Sequence, residues 1–79
     1  MTAIKHDRRA AEVRIGRRIA TSRKAAGLTQ EGLCELATAA GLNLGQQTLA
    51  KIERGVRPLR ASESEVLDMI IFAVSGGAS

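Results

Sequence analysis

Residues 46–55, QQTLAKIERG, constrain the fold of this chain more than any other segment. In a helix, Leu49 and Ile52 share one side, because residues three apart in sequence are neighbours on a helix surface. The other side is polar and basic, and its residues are Gln46, Gln47, Ala50, Lys51 and Arg54. The segment therefore predicts a short helix that is anchored by its apolar side and presents amide, ammonium and guanidinium groups to solvent.

A second helix start lies upstream, at Leu28-Thr29-Gln30-Glu31. Two helices joined by a turn, with a polar outward face on the second, are typical of the helix-turn-helix arrangement. A glutamine side chain can pair with N6 and N7 of adenine, and the major groove of DNA admits an α-helix. The pattern indicates a helix that reads base edges, and an ordinary solvated surface is the alternative interpretation.

The charge of the chain is positive and unevenly distributed. The formal net charge is +4, and residues 1–24 carry most of the arginines and lysines. Residues 61–79 carry only acidic charges, at Glu63, Glu65 and Asp68. A local excess of basic residues favours a polyanionic partner such as nucleic acid, with an ordinary solvated basic surface as the alternative.

Length and composition favour one small all-α domain with an aliphatic core. The chain has 79 residues, no Trp, no Tyr and one Phe, and it is rich in Ala, Leu and Arg. These three residue types are the best helix formers, and a chain of this length forms a modest core. We expect a helix-turn-helix domain over residues 7–74, between a flexible arm at 1–6 and a flexible tail at 75–79.

Capping and terminating residues predict where the first three helices begin and end. Asp7, Thr29 and Gly45 are placed as N-caps of helices one, two and three, and Gly27 and Gly55 suit the ends of helices one and three. The predicted buried positions of helix one are Ala11, Ile15, Ile19, Ser22 and Ala26. Those of helix two and the turn after it are Leu33, Leu36, Ala37, Ala40 and either Leu42 or Leu44.

The C-terminal segment predicts a fourth helix that is apolar on nearly every side. Ser62-Glu63-Ser64-Glu65 has the pattern of a capping box, whereas the β-propensity of residues 69–74 leaves a terminal strand as the alternative. Because so small a chain cannot bury such a helix completely, a homodimer interface is favoured over a core helix with some exposed apolar atoms. The expected interface residues are Met69, Ile70, Ile71, Phe72 and Val74.

The inventory of reactive side chains argues against an enzyme. His6 is the only histidine and Cys34 the only cysteine, and Cys34 falls at a small core position. The sequence has no metal-ligand cluster, phosphate-binding glycine loop or carboxylate pair of catalytic type, so we expect no metal and no cofactor. The N-terminus lacks the apolar stretch of a signal peptide, and the run 69–74 is too short to span a membrane, which favours a cytoplasmic protein.

Three segments in combination resemble the Cro/C1-type helix-turn-helix family of bacterial and phage repressor domains. They are IGRRI at 15–19, RKAAGLTQE at 23–31 and LAKIERG at 49–55. The resemblance implies a lambda-repressor-like fold of four or five short helices and a homodimer that binds a palindromic operator. The stretch between helices two and three is longer here than is usual in the family, and Gly45 replaces the usual Ser or Thr cap.

The resemblance also implies roles for individual residues. Gln30 would contact a phosphate, and Arg23 and Glu53 fall where the family often places an ion pair between helices one and three. The residues that would face base edges are Gln46, Gln47 and Lys51.

Further phosphate contacts are expected from position alone. Thr48 lies in the first turn of helix three, and Arg54 and Arg57 lie at its end and in the following loop. Arg8 and Arg9 are placed to follow the DNA backbone or to enter a minor groove. For the arginines a solvated surface is the alternative, and for Thr48 the alternative is a capping contact at the start of helix three.

These features together predict a transcriptional regulator, with repression favoured, that binds double-stranded DNA. One alternative is an antitoxin-like protein, which would bind DNA and also hold a protein partner through helix four. Another is an interaction module whose basic first helix binds acidic lipid or protein.

Overall fold

The structure, a computed structural model, describes residues 2–76, and it describes side chains from Arg9 onward. This part of the chain folds into four α-helices and contains no strand. The helices are α1 (Thr2–Ala25), α2 (Gln30–Ala39), α3 (Gln46–Glu53) and α4 (Ala61–Val74). The all-α prediction is confirmed, and the alternative of a terminal strand at 69–74 is wrong.

The core lies between two pairs of helices, because α1 and α2 each pack against both α3 and α4. It is aliphatic, as the composition predicts, and Cys34 is one of its small members. The buried apolar residues are Ile19, Leu33, Cys34, Ala37, Leu44, Leu49, Ile52, Leu67 and Ile71. Leu44 fills the core from the turn between α2 and α3, and Leu42 packs against it from the side.

Most of the predicted helix boundaries agree with the structure. The hydroxyl of Thr29 accepts the N–H of Gly32 at 2.9 Å, which caps α2. Gly27 and Gly55 follow α1 and α3 with φ of 76° and 77°, in the left-handed region that favours glycine. The start of the first helix differs, since α1 begins at Thr2 and not at Asp7. Within the predicted arm and tail, residue 1 and residues 77–79 lie outside the described residues.

The buried face of α1 agrees only in part with the prediction: Ile19 is buried and Ala26 packs against the core, whereas Ile15 does not. Ile15 is 40% exposed, and the buried positions are Gly16, Ile19 and Arg23. The reason is the close approach of α3 to Gly16: a Cβ there would overlap the carbonyl oxygen of Ile52. The two backbones touch at this point, which rotates α1 so that its glycine, and not Ile15, faces the core.

The buried face of α2 also differs from the prediction at its C-terminal end. Leu33, Cys34 and Ala37 are buried, whereas Leu36 is 38% exposed and Ala40 is exposed. Ala40 is the C-cap of α2, so its side chain lies where the chain already turns away from the core. The predicted burial of Leu36 and Ala40 is therefore wrong.

The start of α4 uses a different capping residue from the predicted one. Arg60 is the N-cap, and the carboxylate of Glu63 accepts the backbone N–H of Arg60 at 3.0 Å. Ser62 and Glu65 lie within the helix and are exposed. The predicted capping box from Ser62 to Glu65 is wrong because the helix begins earlier, which makes Glu63 the reciprocal carboxylate.

One side of α4 carries apolar side chains that nothing in the described part of the chain covers. Met69 is 62% and Phe72 58% exposed, and Val74 is also exposed. Ile70 is half-buried against the core, and Ile71 is a core residue, so its predicted place in a subunit interface is wrong. No helix within residues 2–76 combines the length and apolarity required to cross a membrane.

Candidate nucleic-acid interface

The two sides of α3 are separated as the sequence predicts. Leu49 and Ile52 are fully buried, whereas Gln47, Lys51 and Arg54 are exposed. Residues 47, 51 and 54 are spaced by four and three, so their side chains form one row along the helix, opposite the buried side. Among the described residues, none hydrogen-bonds to or pairs with the side chains of this row. The row is therefore available to an external partner.

Gln46 lies at the start of α3, to one side of this row. Together with residues of α2 and the turn, it lines an open cavity of about 420 Å³. The other lining residues are Glu31, Cys34, Glu35, Thr38, Leu44 and Gly45. Gly45 is the N-cap of α3 and makes no side-chain hydrogen bond to the helix. The backbone N–H groups in the first turn of α3 therefore have no capping side chain, and Thr48 in this turn is half-buried.

A buried ion pair holds the C-terminal end of α3. Arg23 donates from Nε to Glu53 Oε2 at 2.7 Å and from Nη2 to Glu53 Oε1 at 3.0 Å. The two side chains are only 8% and 7% exposed. Arg23 also donates to the carbonyl oxygen of Leu28 at 2.8 Å, and Gln30 donates to Glu53 Oε1 at 3.0 Å. This network joins α1, the loop after it, α2 and α3, and it fixes the orientation of α3.

The protonation of Glu53 follows from these contacts. Burial raises the pKa of the carboxyl, but the hydrogen bonds from Arg23 and Gln30 outweigh burial and bring the pKa below its ordinary value of 4.5. The same hydrogen bond raises the pKa of the Arg23 guanidinium. The pair is therefore ionised at neutral pH.

The structure gives Gln30 a contact that the sequence did not predict. One N–H of its amide is donated to Glu53. A glutamine amide carries two N–H donors, so the second is free for a phosphate. The predicted phosphate contact of Gln30 is compatible with its role in the network, and the network would hold the amide in place for it.

Arg57 was predicted to contact a phosphate, but the structure gives it a different role. Its guanidinium donates to both carboxylate oxygens of Glu63, at 2.8 and 2.9 Å, and to the carbonyl oxygen of Pro58 at 2.9 Å. Glu63 is buried, and the hydrogen bond from Arg57 lowers its pKa. Arg57 therefore connects the loop after α3 to the start of α4. The sequence gives no signal for this pair, because its two members are separated by a proline-containing loop and follow no helical spacing.

The other predicted contacts stay predictions. Lys51 and Arg54 are exposed, and Arg9 is exposed on α1. The side chain of Arg8 lies outside the described residues.

Acid is expected to destabilise the fold through Glu53 and Glu63. Because both carboxyl pKa values lie below 4.5 in the folded chain, the unfolded chain binds protons more readily. Their contribution to stability is complete above an unfolded-state pKa near 4.5 and is lost as the pH falls through the folded-state values. We expect urea denaturation to show a smaller free energy of unfolding at about pH 3 than at about pH 7. In a Glu63→Gln variant, which keeps the buried pair of Arg23 and Glu53, this difference should shrink, and an equal difference in both proteins would contradict the assignment of Glu63.

Comparison with protein family models, curated proteins and solved structures finds no match for this chain. The resemblance to the Cro/C1-type family therefore rests on the three sequence segments alone.

Proposed function

We propose that this chain is a sequence-specific DNA-binding regulator in which α2, the turn and α3 act as a lambda-repressor-like helix-turn-helix unit. The observation that carries the proposal is the row formed by Gln47, Lys51 and Arg54. It is exposed and lacks partners in the described part of the chain, on a helix whose opposite side is buried. The buried apolar side fixes α3 against the core, and its exposed polar and basic side is suited to a major groove.

The dimensions of α3 agree with this placement. The helix has eight residues, and at 1.5 Å per residue it is about 12 Å long. The major groove of B-DNA is about 12 Å wide, so α3 can enter it over most of its length. The N-terminal glutamines would then lie deepest, with Arg54 at the other end.

The side chains of α3 supply two kinds of contact. Gln46 and Gln47 can each pair with N6 and N7 of an adenine, and such a pair discriminates between bases by about 1–3 kcal/mol. Lys51 lies one turn further along the helix, and its flexible ammonium would reach a guanine or a phosphate. Thr48, Arg54 and the second amide N–H of Gln30 would bind phosphates, which position the protein without reading sequence.

The proposed mode of action is repression by a homodimer that occupies a palindromic operator. Each subunit would place α3 in a major groove, with half-sites about 34 Å apart. The exposed Met69 and Phe72 favour a protein contact at α4, because soluble proteins seldom leave neighbouring large apolar side chains uncovered. In the antitoxin-like alternative, a different protein binds this face of α4. That protein would be detected as a second chain that remains bound during purification.

The dimer proposal predicts the effect of charges at α4. Met69→Lys/Phe72→Lys should convert a dimer to a monomer in sedimentation equilibrium, because two ammonium groups from each subunit would have to be buried in the interface. Val56→Lys is the matched control, since Val56 is 67% exposed but lies outside α4, and it should leave the dimer intact. A wild-type chain that is monomeric at micromolar concentration would contradict the proposed interface.

Selection from a library of random duplexes tests the DNA-binding proposal without knowledge of the operator. We expect the full chain to enrich an inverted repeat whose half-sites are about one helical turn apart. A library that stays random after repeated rounds would contradict sequence-specific binding.

A further inference from the structure

Three contacts define the side of α1 that faces α3. Gly16 touches the backbone of Ile52, Val13 packs against Gly55, and Arg23 pairs with Glu53. Positions 13, 16 and 23 fall on one stripe of the helix, since they are separated by three and seven residues. Positions 13, 16 and 23 therefore mark the side of α1 that contacts α3 and its C-terminal end.

Two basic residues border this stripe on its solvent side. Arg17 is four residues after Val13, and Lys24 is seven residues after Arg17, so both lie on one line of the helix. Both side chains are exposed, and neither has an ion-pair partner in the described part of the chain. Lys24 is near enough to Glu53 to help lower the pKa of that carboxyl, which agrees with a position beside the end of α3.

Two further basic residues of α1, Arg14 and Arg18, lie on other sides of the helix. Arg18 points toward α4, where it donates to Asp68 at 3.0 Å. Arg14 is exposed on the surface of α1 that lies between the side facing α3 and the side facing α4 and is directed away from the core. Of these four residues of α1, Arg17 and Lys24 are therefore the two that extend the polar surface of α3 onto α1.

The start of α2 adjoins the same place. Gln30, the first residue of α2, hydrogen-bonds to Glu53, and Thr29 caps the helix. The N-terminal end of a helix carries partial positive charge, which favours anions. Lys24 and Gln30 therefore both lie close to Glu53 at the end of α3, and Gln30 is the first residue of α2.

We propose that Arg17 and Lys24, here called the α1 basic edge, contact the phosphates of the DNA strand that borders the groove occupied by α3. The inference rests on the proposed function and adds an interaction surface to it. The two residues are about 10 Å apart along the helix, at 1.5 Å per residue. Phosphates of one strand follow one another about every 3.4 Å along the duplex, so each residue binds its own phosphate. These contacts raise affinity for every sequence and do not select bases.

Salt dependence of binding tests the α1 basic edge. The affinity of the wild-type chain and of Arg17→Gln/Lys24→Gln is measured by fluorescence anisotropy over a range of salt concentrations, with the enriched duplex and with a scrambled duplex. The slope of log affinity against log salt should become shallower by about 1 for each residue removed, about 2 in total. The ratio of affinities for the two duplexes should stay unchanged, because phosphate contacts do not read sequence.

Arg14→Gln/Arg18→Gln is the matched control, since it removes the same charge from the same helix on other sides. Its slope should equal that of the wild-type chain. The inference would be overturned if Arg17→Gln/Lys24→Gln had the wild-type slope, or if the slope of the control variant became shallower by the same amount. Either result would leave the proposed function intact. A wild-type chain with no preference for the enriched duplex would overturn both.

Discussion

Replacing Glu53 by alanine is expected to lower the free energy of unfolding by about 3–5 kcal/mol. The substitution leaves the guanidinium of Arg23, which is 8% exposed, without its carboxylate. It also removes the acceptor of the Gln30 amide. A chain of this length is stabilised by roughly 4–12 kcal/mol in total, so the loss is a large part of its stability. Urea denaturation followed by circular dichroism measures the change.

Two further variants show whether the effect arises from the buried pair. Glu65→Ala removes an exposed glutamate of α4 and should change stability by less than about 0.5 kcal/mol. Arg23→Met/Glu53→Leu replaces both charges by apolar side chains and should recover most of the loss, since no charge is then left buried alone. A loss below about 1 kcal/mol for Glu53→Ala would mean that solvent reaches the pair.

Replacing Gly16 by alanine is expected to destabilise the fold by about 1–3 kcal/mol and to displace α3 from α1. The added Cβ would overlap the carbonyl oxygen of Ile52 and lie 3.1 Å from that of Glu53. Both neighbours are backbone atoms, so the helix as a whole must move. Because Arg23 and Glu53 lie on the same two helices, the shift would also stretch their ion pair. Urea denaturation measures the loss, and DNA affinity should fall with it.

A second glycine provides the control for this substitution. Gly45 has an ordinary φ of −82°, and a Cβ there would meet nothing within 4 Å. Gly45→Ser should therefore stabilise the chain by a few tenths of a kcal/mol, because serine adds the cap hydrogen bond that α3 lacks. If Gly16→Ala were as stable as Gly45→Ser, α1 and α3 would not be in backbone contact in solution.

The sequence predicted α3 well because its apolar and polar residues are sharply separated. Leu49 and Ile52 leave only one side that can be buried, and Gly55 ends the helix. The face of α1 was harder to predict. Its buried stripe contains a glycine and an arginine, Gly16 and Arg23, and neither counts as apolar in a hydrophobic pattern. Burial there depends on how closely α3 approaches, which is a tertiary property.

Three features of the structure could not be read from local patterns. The pairing of Arg57 with Glu63 depends on the path of the loop through Pro58, and the sequence does not specify that path. In α4, apolar residues occur on every side, so periodicity could not separate the buried Ile71 from the exposed Phe72. The Arg23–Glu53 pair was expected only through the family resemblance, since positions thirty apart have no local relationship.

Sequence preference in DNA binding, and its dependence on α3, is the most direct test of the proposed function. Fluorescence anisotropy at physiological salt would compare the enriched duplex with a scrambled duplex of equal length, for the wild-type chain and for Gln46→Ala/Gln47→Ala. We predict a preference of about 10³-fold or more for the wild-type chain, and we predict that the double variant loses it while keeping weak binding to both duplexes. Equal affinity of the wild-type chain for both duplexes, or an undiminished preference in the double variant, would contradict base reading by α3.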